Sequence, residues 1–273
     1  MTTGMPKLGI IAGRGALPVL LVAACKAANR EHFVLGLSSF ADPATLPADT
    51  WLKISDVGKA FAALKSAQVK EIVLAGGVQR PAISELKIDL KGAAFFARIA
   101  GRALGDDGLL SAVIAEIERE GFKVVGADSV LAHLLAPEGV LGNVKPDDDA
   151  SSDIRRGFDV ARALGAVDVG QAVIVQQGIV LGAEAAEGTD ALIARCQDLR
   201  FDAPGGVLVK AKKPQQERRA DLPAVGVATV HNAKAAGLRG IAVEAGNTLM
   251  IDGVSDIVAA ADAAGLFIVG VKI

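Results

Sequence analysis

The chain opens on a continuous apolar run, Lys7–Ala12 (KLGIIA), then a glycine turn, then a helix-patterned segment, Pro18–Asn29. An unbroken apolar run of this kind predicts a strand covered on both faces, the habit of parallel sheets. The alternation continues. His32–Leu37 reads as a strand and Asp56–Ala67 as a helix that Asp56 could cap. Glu71–Ala75 reads as a buried strand ending in Gly76-Gly77. Ser111–Glu120 follows as a helix, Lys123–Gly126 as a strand and Ser129–Leu135 as a short helix. Strands alternating with helices predict a parallel sheet whose loops after the strands form the ligand edge.

Pro137–Asp153 changes character, with two prolines, two glycines and the run Asp147-Asp148-Asp149. It reads as a connection, and the acidic run as a solvated loop in preference to a metal site. The alternation then restarts. Ile154–Leu164 is expected as a helix, and Gln171–Gln176 with Ile179–Ala183 as a hairpin across Gln177-Gly178. Asp190–Leu199 is expected as a helix, Gly206–Ala211 as a strand, and His231–Ala236 as a helix ended by Gly237. Ile241–Glu244 and Thr248–Ile251 are expected to pair across Gly246-Asn247, before a helix at Ser255–Ala264 and a last strand at Leu266–Val271. The expected fold is α/β in two lobes: an N-terminal Rossmann-like parallel sheet over residues 1–136, a linker at 137–153, and a C-terminal mixed α/β domain over 154–273 that carries the catalysis.

Composition narrows the function. The net charge of −2 balances 29 basic against 31 acidic side chains. No basic surface is implied, there is no Tyr and only one Trp, so no nucleic-acid partner is expected. Cys25 and Cys196 lie in apolar, helix-like stretches and read as small core residues, which fits a reducing cytoplasm. The N-terminus lacks a basic region before its apolar run and reads as a first strand instead of a signal peptide. Mean hydropathy is +0.41, yet no stretch approaches the roughly 20 apolar residues of a membrane span.

Several segments carry candidate chemistry. Gly13-Arg14-Gly15 sits between a strand and a helix, where backbone N–H groups could meet a phosphate. It fails as a dinucleotide fingerprint: Pro18 stands where a third glycine belongs, and the second strand ends in Ser38-Ser39 with no acid for a ribose. A tight turn without ligand fits equally, and a nucleotide phosphate or sugar is favoured over NAD. Gly76-Gly77-Val78-Gln79-Arg80-Pro81 forms a second such turn.

In the second half, Glu184-Ala-Ala-Glu187-Gly188-Thr189-Asp190 gathers three carboxylates between a strand and a helix. It reads either as a solvated helix start capped by Thr189 or as an oxygen site for Mg²⁺ or Mn²⁺. Lys210 through Pro223 (KAKKPQQERRADLP) combines lysines, glutamines, arginines and Asp221. It reads either as a charged surface loop or as a phosphate clamp presenting Asp221 to a metal or a water. His32, His133 and His231 are not at zinc spacing, and neither a G-x-S-x-G elbow nor a P-loop lysine motif occurs.

The runs Leu8–Pro18, Ala75–Pro81, Gly105–Leu110, Asp168–Gln171, Glu184–Asp190 and Gln216–Gly226 together resemble the LpxI-type UDP-2,3-diacylglucosamine pyrophosphatases, in the same order along the chain. The Glu-Gly-Thr-Asp and Lys-Pro…Arg-x-Asp-Leu-Pro runs are the specific ones. Glu217 departs from the aspartate expected beside Gln216 but keeps its charge.

The resemblance implies Mg²⁺-dependent hydrolysis of UDP-2,3-diacylglucosamine to UMP and 2,3-diacylglucosamine 1-phosphate (lipid X), a step of lipid A synthesis, with water attacking the β-phosphorus. It implies two lobes with the ligand between them. It makes Asp221 the catalytic or metal-holding acid, helped by Glu187 (a second metal ligand) and Asp190. Thr189, Lys213, Gln216 and Arg219 would face the pyrophosphate, and Gly13, Gly15 and Gln79 the nucleotide or sugar. Leu90–Arg102, with Phe95 and Phe96, could line an acyl trough, touch the inner membrane surface, or be an ordinary buried helix. A homodimer is left open. A non-catalytic carrier of a nucleotide-linked or acylated ligand is the rival reading.

Overall fold

The computed structural model describes residues 5–79, 90–100, 105–202 and 204–273. The chain forms two compact units: Met1–Ala132 with Glu217–Asp221, and His133–Gln216 with Leu222–Ile273. Arg80 and Pro81 of the second glycine turn, and Gly101 and Arg102 of the apolar stretch, lie outside the described residues.

The first unit is built on β1 (Leu8–Ala12), β2 (His32–Leu37), β3 (Thr50–Leu52), β4 (Glu71–Ala75) and β5 (Lys123–Val124). They form one parallel sheet in the order β3-β2-β1-β4-β5. The central strand is the apolar opening run, and its Leu8, Ile10 and Ala12 are fully buried. Among the described residues four helices accompany it: α1 (Leu17–Ala27), α2 (Val57–Ser66), α3 (Leu90–Ala100) and α4 (Gly105–Arg119). Asp56 precedes α2, and its carboxylate accepts from the Lys53 N–H and Lys59 Nζ. Where a short helix is expected near 129–135, two 3-10 turns stand, Ala127–Ser129 and Ala132–Leu134. On α3, Phe95 and Phe96 pack against the core cluster containing Phe61 and Phe122. Both rings are partly buried there.

The second unit carries β6 (Gly139–Val140), β7 (Ala172–Gln176), β8 (Ile179–Ala183), β9 (Val207–Lys210), β11 (Gly240–Glu244) and β13 (Phe267–Val271) in one mixed sheet, ordered β6-β13-β11-β9-β7-β8. Strands β9, β11 and β13 are parallel to one another. Alternate side chains serve opposite faces, as strand geometry requires. Val173, Val175, Val207 and Val209 pack with Ile154 and Phe158 of α5 (Asp148–Ala166). Ile174, Leu208, Ile241 and Ile268 pack instead with α6 (Thr189–Cys196), α7 (Val227–Ala235) and α8 (Val254–Ala264). Both cysteines are buried and free.

Three expectations change here. Ile241–Glu244 does not pair with Thr248–Ile251: both edges of β11 are taken by β9 and β13, and β12 (Leu249–Met250) lies parallel to β10 (Ala224–Val225) instead. The Asp147–Asp149 run is no loop. Asp147 caps α5 by accepting from the Ala150 N–H at 2.8 Å, and Asp148 and Asp149 sit in the first turn, where the helix dipole favours negative charge. Residues 137–153, read as a connection, thus carry β6 and the start of α5. Finally, Thr189 does not cap α6. Gly188, at φ +83°, takes that position, and Thr189 is the first helical residue.

Among the described residues no helix is long and apolar enough to cross a membrane.

Candidate functional site

In the first unit the strand order reverses direction between β1 and β4, which makes their C-terminal ends the switch point where open α/β sheets bind ligands. Both glycine turns are there, and they are laced together. Arg14 N–H donates to Gly77 O at 2.9 Å and Gly77 N–H to Arg14 O at 3.0 Å. Such close approach explains the glycines: a Cβ on Gly13 would stand 2.5 Å from Gly77 O, and one on Gly76 would overlap Arg14 O. Gly15, at φ +92°, turns the chain into α1. Beside this turn is a cleft of about 480 Å³, lined by Gly13, Gly15, Pro18, Phe40 and Thr45. The Arg14 guanidinium lies over the Phe40 ring, 5.6 Å from its centre. Gln79, within the second turn, is exposed.

The segment Glu217–Asp221 groups with the same unit. Arg219 donates to Glu217 Oε1 and Oε2 at 3.0 and 2.8 Å and to Glu118 Oε1 of α4 at 2.7 Å. These carboxylates push its guanidinium pKa above the ordinary arginine value, Glu217 first. Arg218 donates to Asp128 Oδ2 at 2.8 Å. Asp221 is half-buried, with its N–H on Glu217 O at 3.1 Å.

In the second unit a polar network stands at one end of the sheet. Lys210 ends β9, and its buried ammonium donates to Thr189 Oγ1 and Ala224 O, both at 2.9 Å. Thr189 in turn donates to Glu184 Oε1 at 2.8 Å, and Glu184 Oε2 accepts from the Gln171 N–H at 3.3 Å. Glu184 is buried too. The chain after Lys210 is held from several sides. The Lys212 N–H meets Glu244 Oε2 at 2.8 Å, the Lys213 N–H meets Gln216 Oε1 at 3.0 Å, and Gln215 Nε2 meets Gly165 O at 2.6 Å. The Lys213 ammonium pairs with Asp168, a residue in the left-handed region at φ +57°. Glu187 and Asp190 look elsewhere. Glu187, whose carboxyl is held below its ordinary value by its own backbone N–H and by Arg195, binds that arginine at 2.9 Å. Asp190 accepts from Asn232 at 2.9 Å.

Family comparison fits this two-unit layout. A model described as the LpxI N-terminal domain matches residues 7–134, and one described as the LpxI C-terminal domain matches 137–269. The UDP-2,3-diacylglucosamine pyrophosphatase LpxI of Caulobacter vibrioides is 45% identical over 276 residues, covering 98% of each chain. The chain belongs to the LpxI family.

Within this LpxI-family chain, the expected site residues fall into sets by unit. Gly13, Gly15, Gln79, Arg219 and Asp221 belong to the first, and Glu187, Thr189, Asp190, Lys213 and Gln216 to the second. Among the described residues no three His, Cys, Asp or Glu side chains group as a metal site. That donor set does not fit an all-protein cage for Mg²⁺. Sequence reading placed Glu184 and Lys210 in candidate segments without linking the two, and gave no role to Asp168, Asp128 or Glu118. Glu184 and Asp168 lie in runs that carry the family resemblance, whereas Glu118 has no local signal, standing 101 residues from the Arg219 it binds.

Proposed function

We propose that this chain hydrolyses the pyrophosphate of UDP-2,3-diacylglucosamine to UMP and 2,3-diacylglucosamine 1-phosphate, a step of lipid A synthesis in the cytoplasm. The observation that carries the reading is the likeness, across nearly the whole chain, to a pyrophosphatase of that named substrate. The local chemistry supports it. A carboxylate, Asp221, is presented on a short loop anchored by two arginine–carboxylate pairs. A carboxylate so held can orient a water and accept its proton as it attacks the β-phosphorus. Gly15 and Gln79, at the edges of the laced turns, are the positions proposed to meet nucleotide or sugar. Mg²⁺ or Mn²⁺ is proposed as the cation, which when bound neutralises charge on the pyrophosphate oxygens.

The ³¹P spectrum of UDP-2,3-diacylglucosamine incubated with the protein, with and without Mg²⁺, tests this. The two coupled diphosphate resonances should be replaced by two monophosphate resonances only when the cation is present. Persistence of the diphosphate under both conditions, with bound lipid recovered intact, would favour the carrier reading.

A further inference from the structure

We infer that Asp128 and Glu118 are positioning residues for the proposed hydrolysis, fixing the Asp221 loop through Arg218 and Arg219. The inference rests on reading Asp221 as the acid that does the chemistry.

After Gln216 the chain leaves the second unit, and for five residues it groups with the first. Among the described residues, one apolar contact and two ion pairs attach it there. Ala220 packs against the core cluster around Phe61 and Phe122. Arg218 Nε reaches Asp128 Oδ2 at 2.8 Å, and Arg219 Nη1 reaches Glu118 Oε1 at 2.7 Å. The acids are themselves fixed: Glu118 in the last turns of α4, Asp128 in the 3-10 turn after β5. The fit around Asp128 is close. A Cβ on Gly126 would overlap the Asp128 carboxylate and come within 3.3 Å of the Arg218 carbonyl. Glu217 closes the loop, holding the Arg219 side chain and accepting the Asp221 N–H.

Both arginines are over a third exposed, at 38% and 39%. Pairs this wet contribute little to global stability. What they do is restrict two neighbouring side chains within three residues of Asp221. A small displacement of a reacting group costs rate far more than it costs binding, about a hundredfold for an ångström. The pairs should therefore be read in kcat.

The test is steady-state kinetics of the full chain with UDP-2,3-diacylglucosamine, using Asp128→Ala, Glu118→Ala, the double variant, and the milder Asp128→Asn. The expected result is a kcat about tenfold lower for each alanine and about a hundredfold lower for both, with KM within about twofold and the thermal midpoint within about 3 °C. The charge exchange Asp128→Arg with Arg218→Asp should recover most of the loss. Unchanged kcat in the double variant, with Asp221→Ala inactive, overturns the inference alone. A parallel rise in KM does the same, because it makes the arginines substrate ligands, with the acids serving binding. Normal turnover in Asp221→Ala removes instead the reading on which the inference rests.

Discussion

The ammonium of Lys210, at the end of β9, donates a hydrogen bond to Thr189 Oγ1, whose hydroxyl in turn donates one to Oε1 of the buried Glu184. This relay joins the acidic turn to the start of the basic loop, and it does so through the one carboxylate of the three that faces inward. Removing the cation leaves a buried acid whose partner chain is broken. Lys210→Met should therefore destabilise the protein by about 2–4 kcal/mol. Lys210→Met with Glu184→Met should cost less than the sum of the single changes, since no lone charge remains. Urea denaturation measures all four members of the cycle, and strict additivity would reject the coupling.

The glycine turns separate two kinds of requirement. Gly15 needs a positive φ but has open space around it, whereas Gly76 needs a positive φ and has Arg14 O where a Cβ would go. Gly15→Ala should cost about 1–2 kcal/mol from backbone strain alone. Gly76→Ala should cost more, because strain and overlap add and the Arg14–Gly77 bonds must part. Equal denaturation midpoints for the two variants would contradict the laced geometry.

Much of this architecture is legible along the chain. The runs KLGIIA and EIVLA announce β1 and β4 because strands buried on both faces need no alternation. The hairpin at Gln177-Gly178 is legible for another reason: both residues take positive φ, the demand of a type I′ turn. What stays hidden is tertiary. Thr50–Leu52 is too short for any period, and only pairing with β2 makes it a strand. Thr248–Ile251 looks like the second arm of a hairpin until the sheet fills both edges of β11. At the candidate site, residue types single out a loop, but not the partners of its charges. Lys213 is matched by Asp168 and Arg219 by Glu118, pairings set by the fold across 45 and 101 residues.

The first unit has an acid-sensitive tie. Glu71 opens β4 and takes Arg30 at 2.6 Å and Lys123 at 2.8 Å. The Lys123 bond, with Arg30 after it, lowers the carboxyl below its ordinary value of 4.5. A group depressed in the folded state stabilises above its unfolded value and loses that contribution as pH falls through the folded one. Stability should hold at neutral pH, begin to fall near 4.5, and go on falling below it. Glu71→Gln should cost about 1–2 kcal/mol at pH 7 and show a flatter decline in that acid range. Denaturant midpoints from pH 7 to 3 check the sign. A variant whose deficit widens on acidification would contradict it.

Asp221→Ala should separate the proposed chemistry from folding. It is half-buried on a loop, so Asp221→Ala should leave the thermal midpoint nearly unchanged. Its proposed work, orienting a water and taking its proton, is worth roughly 10²- to 10⁴-fold in kcat, and that loss is expected. KM should move little if the acid meets the water and not the sugar. The attack site is read separately, by running the wild-type reaction in ¹⁸O-enriched water and weighing both products. Attack at the β-phosphorus puts one heavy oxygen into 2,3-diacylglucosamine 1-phosphate and none into UMP, because the bridging oxygen leaves with the α-phosphorus. Label in UMP would place the nucleophile on the other phosphorus and move the water away from the β-phosphate.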